Sequence, residues 1–306
     1  MITFAAAPLL VGLLLAAFHD QLARRLRPNV AVPLLTALSL TVALCTGLIL
    51  SAVAVLVCVR LGPLPQIGQW SASALQSRSG VPLGFGVAAT AIVAGCLTAA
   101  VIQAVRSARA LAIAARAARL LRPVAGDLVV IEDATPSAYA VAAFTGRIVV
   151  STAMLKALSA DERRALLAHE HSHLRHRHHL YLHGAHLAAA ANPLLRSPAR
   201  SISRLIERWA DEDAAAEVGD RALTARALAR AALARDGSPP APHTLSAADH
   251  RVGERARLLL APQPVHNRLA VVLAVGAGLL TWAAAGAITL WANGVVQFAE
   301  AVYTRR

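Results

Sequence analysis

Four long apolar stretches dominate the pattern of hydrophobic and polar positions along the chain. They comprise Met1–Phe18, Val30–Val59, Val81–Val105 and Leu269–Ala292, and none of them contains a charged residue. A helix of about 20 apolar residues crosses the roughly 30 Å of hydrocarbon in a bilayer. Because charged groups are costly in that environment, uncharged stretches of this length predict four transmembrane helices.

The first stretch has a second interpretation, as a signal peptide that is cleaved. Signal peptides carry basic residues ahead of their apolar part. In this chain Arg24, Arg25 and Arg27 follow the apolar part instead. This order favours a retained span.

The chain between the third and fourth stretches begins with mixed helix and strand signals. In Arg106–Arg122 the arginines fall on one side of a helical wheel, with Ala, Leu and Ile opposite. This pattern is compatible with an interfacial helix on an anionic leaflet and with a continuation of the third span. Two short β-branched runs, Asp127–Glu132 and Arg147–Ser151, then predict strands of a small sheet.

A helix is predicted after these strands. Ser159 and Glu162 form a capping-box pattern, in which each side chain bonds the backbone of the other residue at a helix start. The helix is expected to continue through a group of histidines to about Leu187, and Asn192-Pro193 then ends it.

Three further helices are predicted before the last span. The first has Ser197 as N-cap and Pro198 at its first helical position, and continues to Gly219. The others are Ala222–Ala234 and Ala247–Leu260, joined by a proline-rich connector. The pattern therefore predicts three parts: three spans in residues 1–105, a mixed α and β domain in 106–268, and the fourth span with a short tail in 269–306.

Composition supports a membrane protein and charge indicates its orientation. Apolar residues make up 57% of the 306 residues, and the mean hydropathy is +0.54, which is high for a soluble protein. Of the 30 basic residues, 23 lie between Arg106 and Arg268 and three lie between the first two spans. Since basic connections stay in the cytoplasm, both regions are expected there and both chain ends outside the cytoplasm, in a multi-pass protein of the cell membrane. The net charge of +13 comes without aromatic interleaving, so no nucleic-acid partner is expected.

The main candidates for metal-binding and catalytic residues lie in the sequence His-Glu-His-Ser-His at residues 169–173. On a helix, His169 and His173 stand one turn apart and can present two nitrogens to one metal ion. Glu170 lies beside them, where it can take a proton from a metal-bound water. The alternative interpretation is a solvated or adventitious histidine-rich face, because eight of the 12 histidines lie between 169 and 186.

The other histidines of this segment are expected to play smaller parts. His171, His178 and His183 are expected at the surface or at the membrane interface. His176 follows His173 by three residues and roughly shares its face, so it is a candidate to support the site from outside the ligand set.

A catalytic zinc needs a third protein ligand, and the sequence leaves two candidates open. His179 follows His169 by ten residues, as in HExxHxxGxxH proteases, but this ligand needs a sharp turn where the chain has His176 instead of glycine. Glu207 on the following predicted helix is the alternative. Asp211 is one turn from Glu207, so it can hold the other ring nitrogen of a ligating histidine.

These features resemble the integral-membrane gluzincins, zinc peptidases that include the HtpX/Ste24-type (M48) and the BlaR1/MecR1-type (M56) enzymes. The resemblance rests on HEHSH at 169–173, on the Asn192-Pro193 break and on ExxAD from Glu207 to Asp211. The position of the peptidase segment between spans three and four favours the BlaR1/MecR1-like branch.

The resemblance implies one zinc ion bound by His169, His173 and Glu207, with Glu170 as the general base. It implies a mainly α membrane protein whose cytoplasmic domain is an α+β zincin. The implied substrate is a protein or peptide, such as a transcriptional repressor or a membrane protein, lying extended along an edge strand near Ser137–Phe144.

The leading hypothesis is therefore a zinc endopeptidase that cuts proteins at the cytoplasmic face, in proteolytic signalling or in membrane-protein quality control. A second hypothesis is a non-catalytic membrane relay or scaffold that retains the site for structural zinc. A transporter is disfavoured, because the four spans contain no charged residue for coupling or conduction.

Overall fold

A computed structural model describes residues 6–60, 69–142, 146–235, 252–262 and 267–304. We number the elements of these residues in chain order. The first group is helical: α1 (Ala7–Arg25), α2 (Pro28–Cys58), α3 (Ala72–Ser79) and α4 (Leu83–Leu120). The second group begins with a sheet: β1 (Leu128–Ile131), β2 (Ala138–Val141), β3 (Arg147–Ser151), α5 (Thr152–Ala157), α6 (Ala160–Arg175) and α7 (His178–Ala191). The last group is helical again: a 3₁₀ turn (Pro193–Leu195), α8 (Arg196–Val218), α9 (Arg221–Arg235), α10 (Val252–Leu260) and α11 (Arg268–Thr304).

Three helices of the described residues are long and apolar enough to cross a membrane, namely α2, α4 and α11. They correspond to the second, third and fourth predicted spans. The first predicted span corresponds to α1, which continues beyond Phe18 to Arg25 and is not among the three. Three apolar helices indicate a multi-pass membrane protein, and the fourth span stays a prediction.

Helix α4 decides between the two interpretations of the arginine-rich segment. It runs without interruption from Leu83 to Leu120, so the segment continues the third span and is not a separate interfacial helix. At about 1.5 Å per residue, its 38 residues extend well beyond about 30 Å of hydrocarbon. The half that carries Arg106, Arg109, Arg116 and Arg119 therefore leaves the apolar layer.

The sheet has three strands in the order β1-β3-β2. The central strand β3 pairs in parallel with β1 and antiparallel with β2. The two strands predicted from β-branched runs are confirmed as β1 and β3. The strand β2 lies at an edge within the range implied by the resemblance, whereas residues 143 and 144 of that range lie outside the described residues.

Helix α6 begins at the predicted capping box. The Ser159 hydroxyl accepts from the Glu162 amide at 3.4 Å, and the Glu162 carboxylate accepts from the Ser159 amide at 2.9 Å. Arg230 of α9 also donates to this carboxylate at 2.9 Å. Burial opposes ionisation of Glu162, but these donors lower its pKa. The cap therefore also ties α6 to α9.

The predicted end of this helix at about Leu187 is wrong. Helix α6 ends at Arg175, and Arg177 takes a left-handed conformation with φ of 51°. The chain turns there and starts α7 at His178. Asn192 ends α7 as predicted, and its side chain accepts from the Leu194 amide in the 3₁₀ turn.

The prediction that Ser197 caps the next helix is also wrong. The 3₁₀ turn passes directly into α8, whose first residue is Arg196. The Ser197 hydroxyl donates instead to the Ala16 carbonyl of α1 at 3.4 Å. The predicted helix Ala222–Ala234 is confirmed as α9. The described part of the last predicted helix is α10, and the proline-rich connector at 237–242 lies outside the described residues.

Helix α8 connects the first helices of the chain with the segment that contains the sheet and the histidines. One face packs on α1 and α2 in the largest apolar cluster, where Leu35, Ile202 and Ile206 are buried. Another face packs on α6. The sheet, α5, α6 and α9 share a second apolar cluster around Val150 and Met154. The helix with the histidines is thus held between this small core and α8.

Replacing Ser159 by Ala removes one half of the capping box, and we expect it to reduce the free energy of unfolding by about 1 kcal/mol. Thermal unfolding of the detergent-solubilised protein measures the effect. Thr304→Ala, at the exposed end of α11, is the control and should leave the transition unchanged. Equal unfolding temperatures for the two variants would contradict the role of the cap.

Candidate metal centre

The two histidines of the motif face each other on α6. His169 and His173 are buried, with 5% and 6% of their surface exposed, and their Nε2 atoms lie 3.2 Å apart. They are one helical turn apart in sequence, which places their side chains on the same face. Burial, and then the neighbouring His169, lower the pKa of His173 to about 3. His173 is therefore neutral near pH 7, as a metal ligand must be.

Glu207 lies opposite these histidines on α8. Its two carboxylate oxygens lie 3.7 Å from the Nε2 atoms of His169 and His173, one oxygen to each ring. The three ligand atoms are all within 4.8 Å of one another. In a tetrahedral site with ligands about 2.1 Å from zinc, neighbouring ligand atoms are roughly 3.4 Å apart. The described geometry is close to this spacing.

Asp211 lies one turn after Glu207 and approaches the back of His169. Its Oδ1 is 3.0 Å from the Nδ1 atom of His169, and only 1% of the residue is exposed. Burial raises the pKa of this carboxyl group, but the adjacent Arg255 outweighs burial and holds the pKa well below its ordinary value. An ionised Asp211 favours the tautomer of His169 with its proton on Nδ1, which leaves the Nε2 lone pair free for a metal.

Arg255 of α10 supplies the positive charge at this end of the site. It donates to both carboxylate oxygens of Asp211, at 2.6 and 2.8 Å. Its Nη1 also lies 3.2 Å from Glu207. Two carboxylates so close to each other would repel, and the guanidinium offsets this repulsion.

Behind His173 lies another histidine. His178 is completely buried, and its Nδ1 lies 3.0 Å from the Nδ1 atom of His173. Each of the two facing histidines thus has a polar partner at the ring nitrogen that points away from Glu207. With protons on both Nδ1 atoms, the two Nε2 lone pairs and the Glu207 carboxylate converge on one point. Such a convergence of lone pairs fits a cation, and the nitrogen and oxygen donors suit zinc.

Glu170 is buried beside the same group, with 7% of its surface exposed. It directly follows His169 on α6. A carboxylate beside a candidate ligand would be placed to exchange a proton with a water if these residues hold a metal ion.

A comparison with protein-family models gives one match. The model described as peptidase family M48 matches residues 103–195. The match supports an M48-family peptidase. No curated protein and no solved structure matches the chain significantly. The matched residues include the strands, α6 and α7, whereas α8 with Glu207 lies beyond them.

The family match indicates a membrane-associated metallopeptidase, because M48 peptidases are metalloproteases and the chain carries three apolar helices. The BlaR1/MecR1-like branch is a finer assignment, which this match does not distinguish. It stays a prediction.

The sequence left His179 and Glu207 as alternatives for the third ligand. The group of described residues that could hold a metal contains Glu207 and not His179. The chain does turn after His176, as the His179 alternative required, but the turn brings His178 to His173. His179 lies instead near His183, with ring centroids 6.5 Å apart.

One expectation for a neighbouring residue is wrong. His178 was expected at the surface and is fully buried. The carboxylate of Asp213 accepts hydrogen bonds from Ser172 and Arg175. His176 approaches the same carboxylate at 2.9 Å and stacks on Trp209, so it joins α6 to α8.

Arg255 was missed by sequence reasoning. It is 44 residues from Asp211, beyond a connector, and a single arginine among many carries no spacing signal. Only the packing of α10 beside α8 brings it to the two carboxylates.

Replacing Glu207 by Ala is expected to weaken zinc binding by more than the roughly 10- to 100-fold typical for loss of an outer partner. His179→Ala is the matched control and should bind zinc like the wild type. Chelator competition on the detergent-purified variants measures both constants. Weaker binding by the His179 variant than by the Glu207 variant would assign the third ligand to His179.

Proposed function

We propose that the protein is a membrane-embedded zinc endopeptidase that cleaves a protein substrate at the cytoplasmic face of the membrane. The observation that carries this proposal is the convergence of His169, His173 and Glu207, with Glu170 buried beside them. In the proposed enzyme the first three residues hold one zinc ion. Asp211 and Arg255 support this ligand set from outside.

When bound, zinc polarises the scissile carbonyl and makes a water more acidic. The protein supplies the proton transfers. Glu170 takes the proton of the attacking water and later gives it to the leaving amine, so that one carboxylate serves as base and then as acid. Its burial keeps the carboxylate out of bulk water, where competing proton exchange would be fast.

The edge strand β2 is the proposed docking site for the substrate. The hydrogen bond from the Ser151 amide to the Ser137 carbonyl sets the alternation of this antiparallel pair. It follows that the amides of Ala138 and Ala140 point away from β3. An extended peptide could pair with this edge, satisfy its own backbone and lie beside α6, which packs on β2.

The cytoplasmic location rests on the distribution of basic residues. Arg24 and Arg25 end α1 and Arg27 directly precedes α2, and the arginine-rich half of α4 leads into the peptidase segment. Basic residues at these positions are retained in the cytoplasm. A peptidase at that face has access to cytosolic proteins and to membrane proteins, which suits regulated proteolysis or quality control.

The variant Glu170→Gln tests the catalytic role. We expect it to retain zinc and to lose at least about 100-fold in cleavage rate, because the amide cannot take a proton. Zinc content is measured on the purified protein. Cleavage is measured with casein, and also by comparing the fragments of membrane and cytosolic proteins in cells that carry the wild type or the variant. The exposed Glu217→Gln is the control and should cleave at the wild-type rate. Undiminished cleavage by Glu170→Gln would end the proposal, and zinc without hydrolysis in the wild type would favour the relay.

Replacing Ala140 by Pro tests the docking edge. Proline removes the amide donor at this position, and because that amide points away from β3 the pairing within the sheet is retained. We expect a marked loss of protein cleavage with zinc content unchanged. The unfolding temperature of the variant shows whether the sheet is intact. Wild-type cleavage by an intact variant would contradict substrate pairing at β2.

A further inference from the structure

The turn at Arg177 places an imidazole behind one candidate metal ligand. His178 is completely buried, and its Nδ1 lies 3.0 Å from the Nδ1 of His173. Its other nitrogen, Nε2, is buried with no hydrogen-bond partner among the described residues. A buried polar ring with one unpaired nitrogen is costly, so simple packing would be better served by an apolar side chain.

We propose that His178 is a positioning residue that sets the tautomer and the ring orientation of His173 for metal binding. This inference rests on the proposed function, because it takes His173 to bind zinc through Nε2. A neutral imidazole that binds through Nε2 carries its proton on Nδ1. The Nδ1–H group of His173 then points to His178, whose Nδ1 must accept the hydrogen bond.

The rings around His178 hold this arrangement in place. Its ring centroid lies 4.9 Å from that of His173 at an interplanar angle of 83°, and 4.8 Å from that of Trp209. The ring of His176 lies 5.7 Å away and nearly parallel to that of His178. These neighbouring rings restrict rotation of the His178 ring, so its Nδ1 stays directed at the Nδ1 of His173.

The two histidine ligands consequently have different outer partners. His169 faces the carboxylate of Asp211, which carries a full negative charge, whereas His173 faces a neutral imidazole. A carboxylate partner makes a ligand more basic than a neutral partner does. With Glu207 already contributing a charge, a neutral partner at His173 limits the negative charge around the metal and keeps the metal a stronger Lewis acid.

Two substitutions of His178 separate positioning from packing. His178→Leu fills the buried space but has no acceptor. His178→Asn leaves more empty space, but its amide oxygen lies near the position of the original Nδ1. Removing an outer partner of a zinc-ligating histidine weakens metal binding by about 10- to 100-fold. We therefore expect this loss for the variant His178→Leu. For His178→Asn we expect a zinc affinity within about threefold of the wild type.

The experiment uses the full-length protein in detergent, stripped of metal, and zinc as the probe. Chelator competition gives the dissociation constants, the visible absorption of the cobalt-substituted proteins reports ligand geometry, and unfolding of the metal-free proteins reports packing. If His178 positions His173, only the variant His178→Leu should bind zinc more weakly and show a changed cobalt spectrum. If His178 only fills space, the order of zinc affinities should be reversed. The variant His178→Asn should then bind zinc more weakly than His178→Leu and be the less stable protein.

Wild-type binding distinguishes failure of this inference from failure of the proposed function. If the wild type binds zinc and the two variants bind it equally well, the role of His178 is overturned and the zinc peptidase stands. If the wild type binds no zinc, the proposed function fails and this inference fails with it.

Discussion

The packing of α6 against α8 is the contact on which the candidate site depends. Helix α6 carries His169 and His173, and helix α8 carries Glu207 and Asp211. Neither helix holds a complete set of ligands, so a small sliding or rotation of one helix would separate the carboxylate from the two rings. The capping box at Ser159 defines where α6 begins, and the contacts of Asp213 with the end of α6 join the two helices beyond the site.

Helix α8 is itself anchored to the membrane part of the protein. Its apolar face packs on α1 and α2. Beside that face, Ser201 and Arg204 both donate to Asp20 of α1 at 2.6 Å, and Ser201 also lies 2.7 Å from His19. The candidate ligand Glu207 thus lies on a helix that packs on α1 and α2 along one face and on α6 along another. The proposed catalytic centre and the membrane anchor share one structural element.

Charge balance is the second requirement of the site. Three carboxylates lie close together at the site, those of Glu170, Glu207 and Asp211. In the described structure Arg255 is the cation that lies next to them. Burying carboxylates without compensation would be strongly unfavourable. A divalent ion would add to this compensation, so metal binding and the stability of the packed site are expected to be linked. The short helix α10 therefore matters to the site although it carries no candidate ligand.

The sequence alone determined three of the four predicted apolar spans, the start of α6 and the pair of histidines on one helix face. Length without charge, the pairing of Ser159 with Glu162, and the four-residue spacing of two histidines are local properties, which do not depend on the rest of the fold. The tertiary structure decided which candidate lies opposite those histidines, and it added Arg255 and His178. These choices depend on the left-handed turn at Arg177 and on contacts between residues far apart in sequence, for which local patterns carry no signal.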